Sequence, residues 1–281
     1  TVSNVGRENE GSYQVVINNP AGSVVSDEAR LAVVQPVQIL AQPEGAVKIR
    51  GEELTLEVPA NGTQPFVYRW FRDSTEIKGA NGAKLEIANV QLSDSGVYHV
   101  TVSNEGGEVV SEEALVTVYD PITIVQQPDP TRRIQGTTAV FTVEATGSAP
   151  LTYQWRFNNQ AMPGETGATL TFSNVQPVAE GSYQVVMKNP AGSAVSEEVK
   201  LTVVQPVVIL GQPEGATKLL GQALTLSVVA SGSEPLEYQW SKDGQVIEGA
   251  NTKELAFAVL IPDNQGVYSV SISNEAGTVV S

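Results

Sequence analysis

The sequence predicts an all-β protein built from small two-sheet sandwiches that repeat every 85 residues. Three observations lead there. Trp70, Trp155 and Trp240 stand 85 residues apart, and a Gly-x-Tyr motif sets Tyr13, Tyr98, Tyr183 and Tyr268 at the same step. Short runs such as Leu54 to Val58 alternate apolar and polar residues, the pattern of half-buried strands. No stretch sustains a 3.6-residue period, so helices are not expected.

The period is strict. Asn19, Asn104, Asn189 and Asn274 keep it, each followed three positions later by Gly22, Gly107, Gly192 and Gly277. With no insertion between copies, the unit reads as one fixed domain. Turn residues fall where the strands should reverse: Gly62, Gly147 and Gly232, then Pro65, Pro150 and Pro235. Alternate copies match best. GSYQVVINNPAGS from Gly11 nearly repeats at Gly181, whereas GVYHVTVSNEGG from Gly96 matches GVYSVSISNEAG from Gly266. A domain pair of about 170 residues is therefore the larger repeat.

This register divides the chain into four parts: the last strands of a domain (1–36), complete domains at 37–121 and 122–206, and a domain without its final strand (207–281). The expectation is a window onto a longer array. The alternative is an assembly in which a neighbour's strand completes the last domain. Single prolines (Pro36, Pro121 and Pro206) mark the junctions with no Gly/Ser spacer, which predicts a limited range of inter-domain angles.

Composition narrows the function classes. The chain has 281 residues, 41% of them hydrophobic, enough for real cores. A net charge of −15 leaves no basic patch to displace counterions, so nucleic acid is excluded as a partner and anionic membranes are disfavoured. No run of eighteen apolar residues exists, so no membrane insertion is expected in this segment, and no leader sequence is visible at Thr1. Cysteine is absent, which excludes disulfides and thiolate chemistry.

Catalytic and cofactor-binding residues are expected to be none. His99 is the single histidine, and its equivalents are Gln14, Gln184 and Ser269. A lone imidazole between two inward residues offers no general base with a partner. One acidic feature recurs: SDE at Ser26, SEE at Ser111 and SEE at Ser196. Its sharp reading is a calcium site using Glu112, Glu113, Glu197 and Glu198. Its bland reading is an edge strand charged against aggregation. Consecutive acids on one strand would face opposite ways, which favours the second, so no metal is assigned.

Two further sets keep the register. Val58, Val143 and Val228 lie twelve residues before the tryptophans, and Val100, Val185 and Val270 lie two residues after the tyrosines. In these positions the chain resembles intermediate-set immunoglobulin-like domains with valines in place of the paired cysteines. YQWRFNNQAMPGETGATLTFSNVQPVAEGSYQVVMKNPAGS resembles in particular the tandem repeats of large bacterial secreted or surface proteins. The resemblance implies that the valines, Trp70, Trp155 and Trp240 form the core. It also implies that Tyr98, Tyr183 and Tyr268 act as tyrosine corners. The family's Arg–Asp bridge keeps its acid only at Asp94. A disulfide spanning Val58 to Val100 would contribute roughly 4 kcal/mol, and two buried valines about 1.5–3 kcal/mol each, so valine is an adequate substitute.

What the resemblance implies for function is a structural or adhesive rod segment of a long extracellular or cell-surface repeat protein, with packing into a fibre or sheath as one outcome. Its partners would be other copies of itself or neighbouring repeats and an unidentified surface ligand. The alternative is a module that grips carbohydrate or protein through its loops. An intracellular muscle-type array is set aside on the bacterial-type likeness.

Overall fold

The computed structural model describes residues 1–281, which form two compact units, Thr1–Pro121 and Ile122–Ser281. Strands and turns make up almost everything, with only 3-10 turns such as Leu92–Asp94 besides.

Repeat 37–121 shows the plan. Its central strand is Gly96–Asn104, on which Tyr98, Val100 and Val102 point inward and are fully buried. Val67–Arg72 pairs with it antiparallel, so that Trp70 lies opposite Val100 and Phe71 opposite His99. On the other side the central strand meets two partners in turn. Gly107–Val110 folds back on its second half, and Ala114–Tyr119 pairs with its first half. Ala46–Ile49 closes this sheet, running parallel to Ala114–Tyr119. The facing sheet holds Leu54–Glu57 against Lys84–Ile87, extended by Gln38–Ile39 against Ala60–Asn61. The strand just before Gln42 thus belongs to one sheet and the strand just after it to the other.

The period-two pattern explains the core. Leu54, Leu56 and Val58 from one sheet meet Tyr68, Trp70, Tyr98 and Val100 from the other, with Ala114, Val116 and Val118 beside them. Repeat 122–206 uses the same positions: Phe141, Val143, Trp155, Leu170, Tyr183, Val185, Met187 and Leu201. Each fully buried large side chain of this kind contributes about 1.5–3 kcal/mol.

The shorter segments pack differently. In 207–281, Val228, Trp240, Val270 and Ile272 are buried, but Tyr268 is only half-buried. The reason is local: no strand equivalent to Ala114–Tyr119 lies beside Tyr268, and the central strand itself begins there rather than two residues earlier. In 1–36 two small ladders form, Gly11–Tyr13 with Ala29–Leu31 and Val16–Asn19 with Gly22–Val25, and none of their residues is buried.

Candidate functional site

The residues singled out from sequence fall into a buried skeleton, a recurring bulge and the domain junctions. In the skeleton each indole is wholly buried and its N–H has a partner. Trp70 Nε1 donates to Gly82 O at 3.0 Å, Trp155 to Gly167 O and Trp240 to Thr252 O, both at 2.9 Å. Val58, Val100, Val143, Val185, Val228 and Val270 are all buried around them. A buried indole without a partner would forfeit a hydrogen bond, so these carbonyls fix the ring orientation as well as its depth.

The tyrosine hydroxyls close a short loop. Tyr98 donates to Asp94 O, Tyr183 to Ala179 O and Tyr268 to Asn264 O, each at 2.7 Å. Burial raises the pKa of all three phenols, that of Tyr183 to about 12. At Tyr98 burial is opposed by the guanidinium of Arg72. Arg72 also bridges Asp94 at 3.1 Å. In the next repeat Phe157 takes the arginine's place and packs on Tyr183 with ring centroids 5.0 Å apart. The only histidine, His99, lies stacked on Phe71 with centroids 4.9 Å apart and planes within 4°.

The acidic motif is not an edge strand, and the expectation built on strand alternation is corrected here. Ser111, Glu112 and Glu113 lie in no strand; they form the break between Gly107–Val110 and Ala114–Tyr119. Ser111 is buried and does the work. Its Oγ accepts from Val100 N at 3.0 Å and donates to Glu112 O at 2.9 Å. Ser196 repeats this with Val185 N and Glu197 O. The exposed backbone is then tied across the sandwich, because Glu112 N donates to Gln42 Oε1 at 2.8 Å and Glu197 N to Gln127 Oε1 at 3.0 Å. Those glutamines sit where the chain crosses between sheets. Glu112, Glu113, Glu197 and Glu198 are exposed, and they belong to no group of three or more side chains placed to hold a metal ion. The serine, not the acids, is why the motif recurs.

At the junction near Pro36, Gln35 N donates to Thr63 Oγ1 at 2.8 Å, while Thr63 N donates back to Gln35 O at 3.1 Å. Asn104 Nδ2 then reaches both Gln35 O at 2.7 Å and Thr63 O at 2.8 Å. The junction near Pro206 is built alike. Gln205 N donates to Ser233 Oγ at 2.8 Å, and Asn274 Nδ2 donates to Gln205 O and Ser233 O at 2.8 and 2.9 Å. An ion pair joins the two domains on either side of that junction, Arg132 to Glu275 at 2.6 Å. At the third position of this kind, Asp120 pairs with Arg50 of its own repeat, at 2.7 Å from Nε. Spacing had marked Asn104 and Asn274 without revealing that they hold the linker.

Two facing sheets pinned by one buried indole, a tyrosine hydroxyl closing its loop and a strand that changes sheets define the architecture. The model of the immunoglobulin domain family matches residues 36–104 and 121–189. The chain has the fold of tandem immunoglobulin-like domains. The I-band fragment I67–I69 of titin superposes with a TM-score of 0.70 over 87% of this chain and 96% of that one, at 22% identity, a likeness of fold. The muscle M-line assembly protein unc-89 of Caenorhabditis elegans is 30% identical over 321 residues, covering 100% of this chain and 4% of that protein. The basement membrane-specific heparan sulfate proteoglycan core protein of Mus musculus is 29% identical, over 88% of this chain and 7% of that protein. These immunoglobulin-domain relatives are animal proteins, and they lend no support to a bacterial source or to a filament.

Proposed function

We propose that this segment acts as a structural and adhesive rod within a longer extracellular or cell-surface protein, holding its immunoglobulin domains at restricted angles. The observation that carries this reading is the linker clamp. Gln35 and Gln205 are each fixed to the following domain by backbone and side-chain hydrogen bonds from two separate loops. Each such bond contributes about 0.5–1.5 kcal/mol net, so several acting on one residue restrict a junction that a Gly/Ser linker would leave free. The same clamp disfavours the loop-binding alternative at this end of the domains, since the loops at Thr63 and Asn104 are occupied by the linker. The relatives support a structural or adhesive role in general, and their names span muscle and basement membrane.

The test uses the whole chain carrying spin labels on the 122–206 and 207–281 domains. The expected result is a narrow inter-label distance distribution that broadens when Asn274→Ala and Ser233→Ala are combined. A parent distribution already as broad as that of a chain with a Gly/Ser insert at Pro206 would defeat the reading.

A further inference from the structure

Asn61, Gly62 and Thr63 form the triplet Asn-x-Thr beside the first junction, and no other asparagine in the chain has a serine or threonine two positions on. Such a triplet arises easily by chance, so its place in the fold decides what it can do. Gly62 and Thr63 are fixed by the linker. A Cβ on Gly62 would stand 2.9 Å from Pro36 O, its φ is +138°, and the Thr63 hydroxyl accepts from Gln35 N at 2.8 Å. The equivalent positions keep both residue types, as Gly147 with Ser148 and Gly232 with Ser233. Asn61 has no such duty. Its counterparts are Thr146 and Ser231, so the fold does not require an amide there.

The local geometry presents that amide to water. The ladder of Gln38–Ile39 with Ala60–Asn61 sets Ile39 and Ala60 against the core. Successive strand residues face opposite ways, so Asn61 stands opposite Gln38 on the outer side, and it is exposed. Its Oδ1 accepts from Gly62 N at 2.9 Å, while its Nδ2 donates to nothing in the chain.

We infer that Asn61 is an N-glycosylation site. In that reaction Asn61 Nδ2 attacks the anomeric carbon of a lipid-diphosphate-linked oligosaccharide. A C–N bond forms, the C–O bond to the diphosphate breaks with the lipid diphosphate as leaving group, and the amide gives up one proton. The hydroxyl residue of the triplet must be free for the transferase. In the folded domain Thr63 is tied at its hydroxyl, its N–H and its carbonyl. Transfer therefore precedes closure of the clamp, on the extended chain. After folding the sugar stands on the outer side of the ladder. None of the clamp's hydrogen bonds uses Asn61, so glycan and clamp coexist.

This inference rests on the extracellular part of the proposed function, because the lipid-linked donor belongs to the secretory route. The test is the whole chain expressed in animal cells behind a removable leader, with secreted and retained material both analysed by mass spectrometry. A glycan should be found on the peptide that holds Asn61 and on no other, and peptide N-glycosidase should release it and leave a carboxylate there. Asn61→Gln should abolish it with unchanged circular dichroism. Thr63→Ala should abolish it too, whereas Thr63→Ser should keep it. A bare Asn61 in the parent, or a glycan that survives Thr63→Ala, would overturn the inference. A bare Asn61 beside narrow label distances sinks this inference alone and leaves the rod reading standing. A glycosylated chain whose distances are as broad as those of the Gly/Ser insert sinks the rod instead.

Discussion

Repeats 37–121 and 122–206 have one skeleton and two different surfaces. Trp70 and Trp155, Val100 and Val185, Ser111 and Ser196 make equivalent contacts to within a few tenths of an ångström. Around that skeleton the repeats diverge. One braces its tyrosine corner with an Arg72–Asp94 bridge, the other with Phe157 and Phe141 packed on Tyr183. One carries Phe71 and Leu115 where the other carries Arg156 and Lys200. The difference teaches that the inter-sheet space fixes residue size and depth, whereas outward positions on the same strands are free to specialise.

The largest expected effect tests the shared part. Trp155→Ala and Trp70→Ala should each cost their own domain about 3–5 kcal/mol, read by urea unfolding with the remaining tryptophans reporting the untouched domains. A clear inequality between the two would break the claim of one skeleton. Next, Ser196→Ala and Ser111→Ala each leave a buried backbone N–H without its acceptor, at about 1–3 kcal/mol. Hydrogen exchange at Val185 and Val100 should quicken in step with that loss; unchanged exchange would reduce the serine to a filler.

The remaining predictions address the parts that differ. Tyr183 is held neutral by burial, with its folded value raised to about 12 from 10.0. A group raised in this way contributes fully below the unfolded value and loses that contribution as pH climbs through the folded one. Repeat 122–206 should therefore weaken progressively between about pH 10 and 12, followed through Trp155 emission. In repeat 37–121 the Arg72 guanidinium opposes the rise at Tyr98, so its alkaline loss should set in over the same pH but be smaller. Equal alkaline losses would erase this contrast. The smallest effect is expected for Asp94→Asn. The bridge is partly exposed and worth under about 1 kcal/mol, so the loss should fade in high salt. Ala179→Asn, at the equivalent position, should leave its repeat unaltered by salt.

Much of the skeleton was legible because its residues are large, rare and strictly spaced. Trp70, Tyr98 and their copies mark the period, and alternation along Leu54–Glu57 gives the inward face. The acidic motif was misleading for a physical reason. The eye falls on Glu112 and Glu113, but the group that matters is the Ser111 hydroxyl, whose partner Val100 N lies eleven residues away across a ladder. The linker clamp was hidden in the same way. Asn104 kept perfect register, yet its side chain binds Gln35, 69 residues earlier.

By itself, then, the order of residues determined strand periodicity and which side chains are large and apolar enough to fill a sandwich, because these depend on neighbours one and two positions away. Tertiary structure alone decided which backbone groups the serines, glutamines and asparagines satisfy, and which outward side chains from separate strands become one surface. Those outcomes depend on distances set only when the two sheets close on each other.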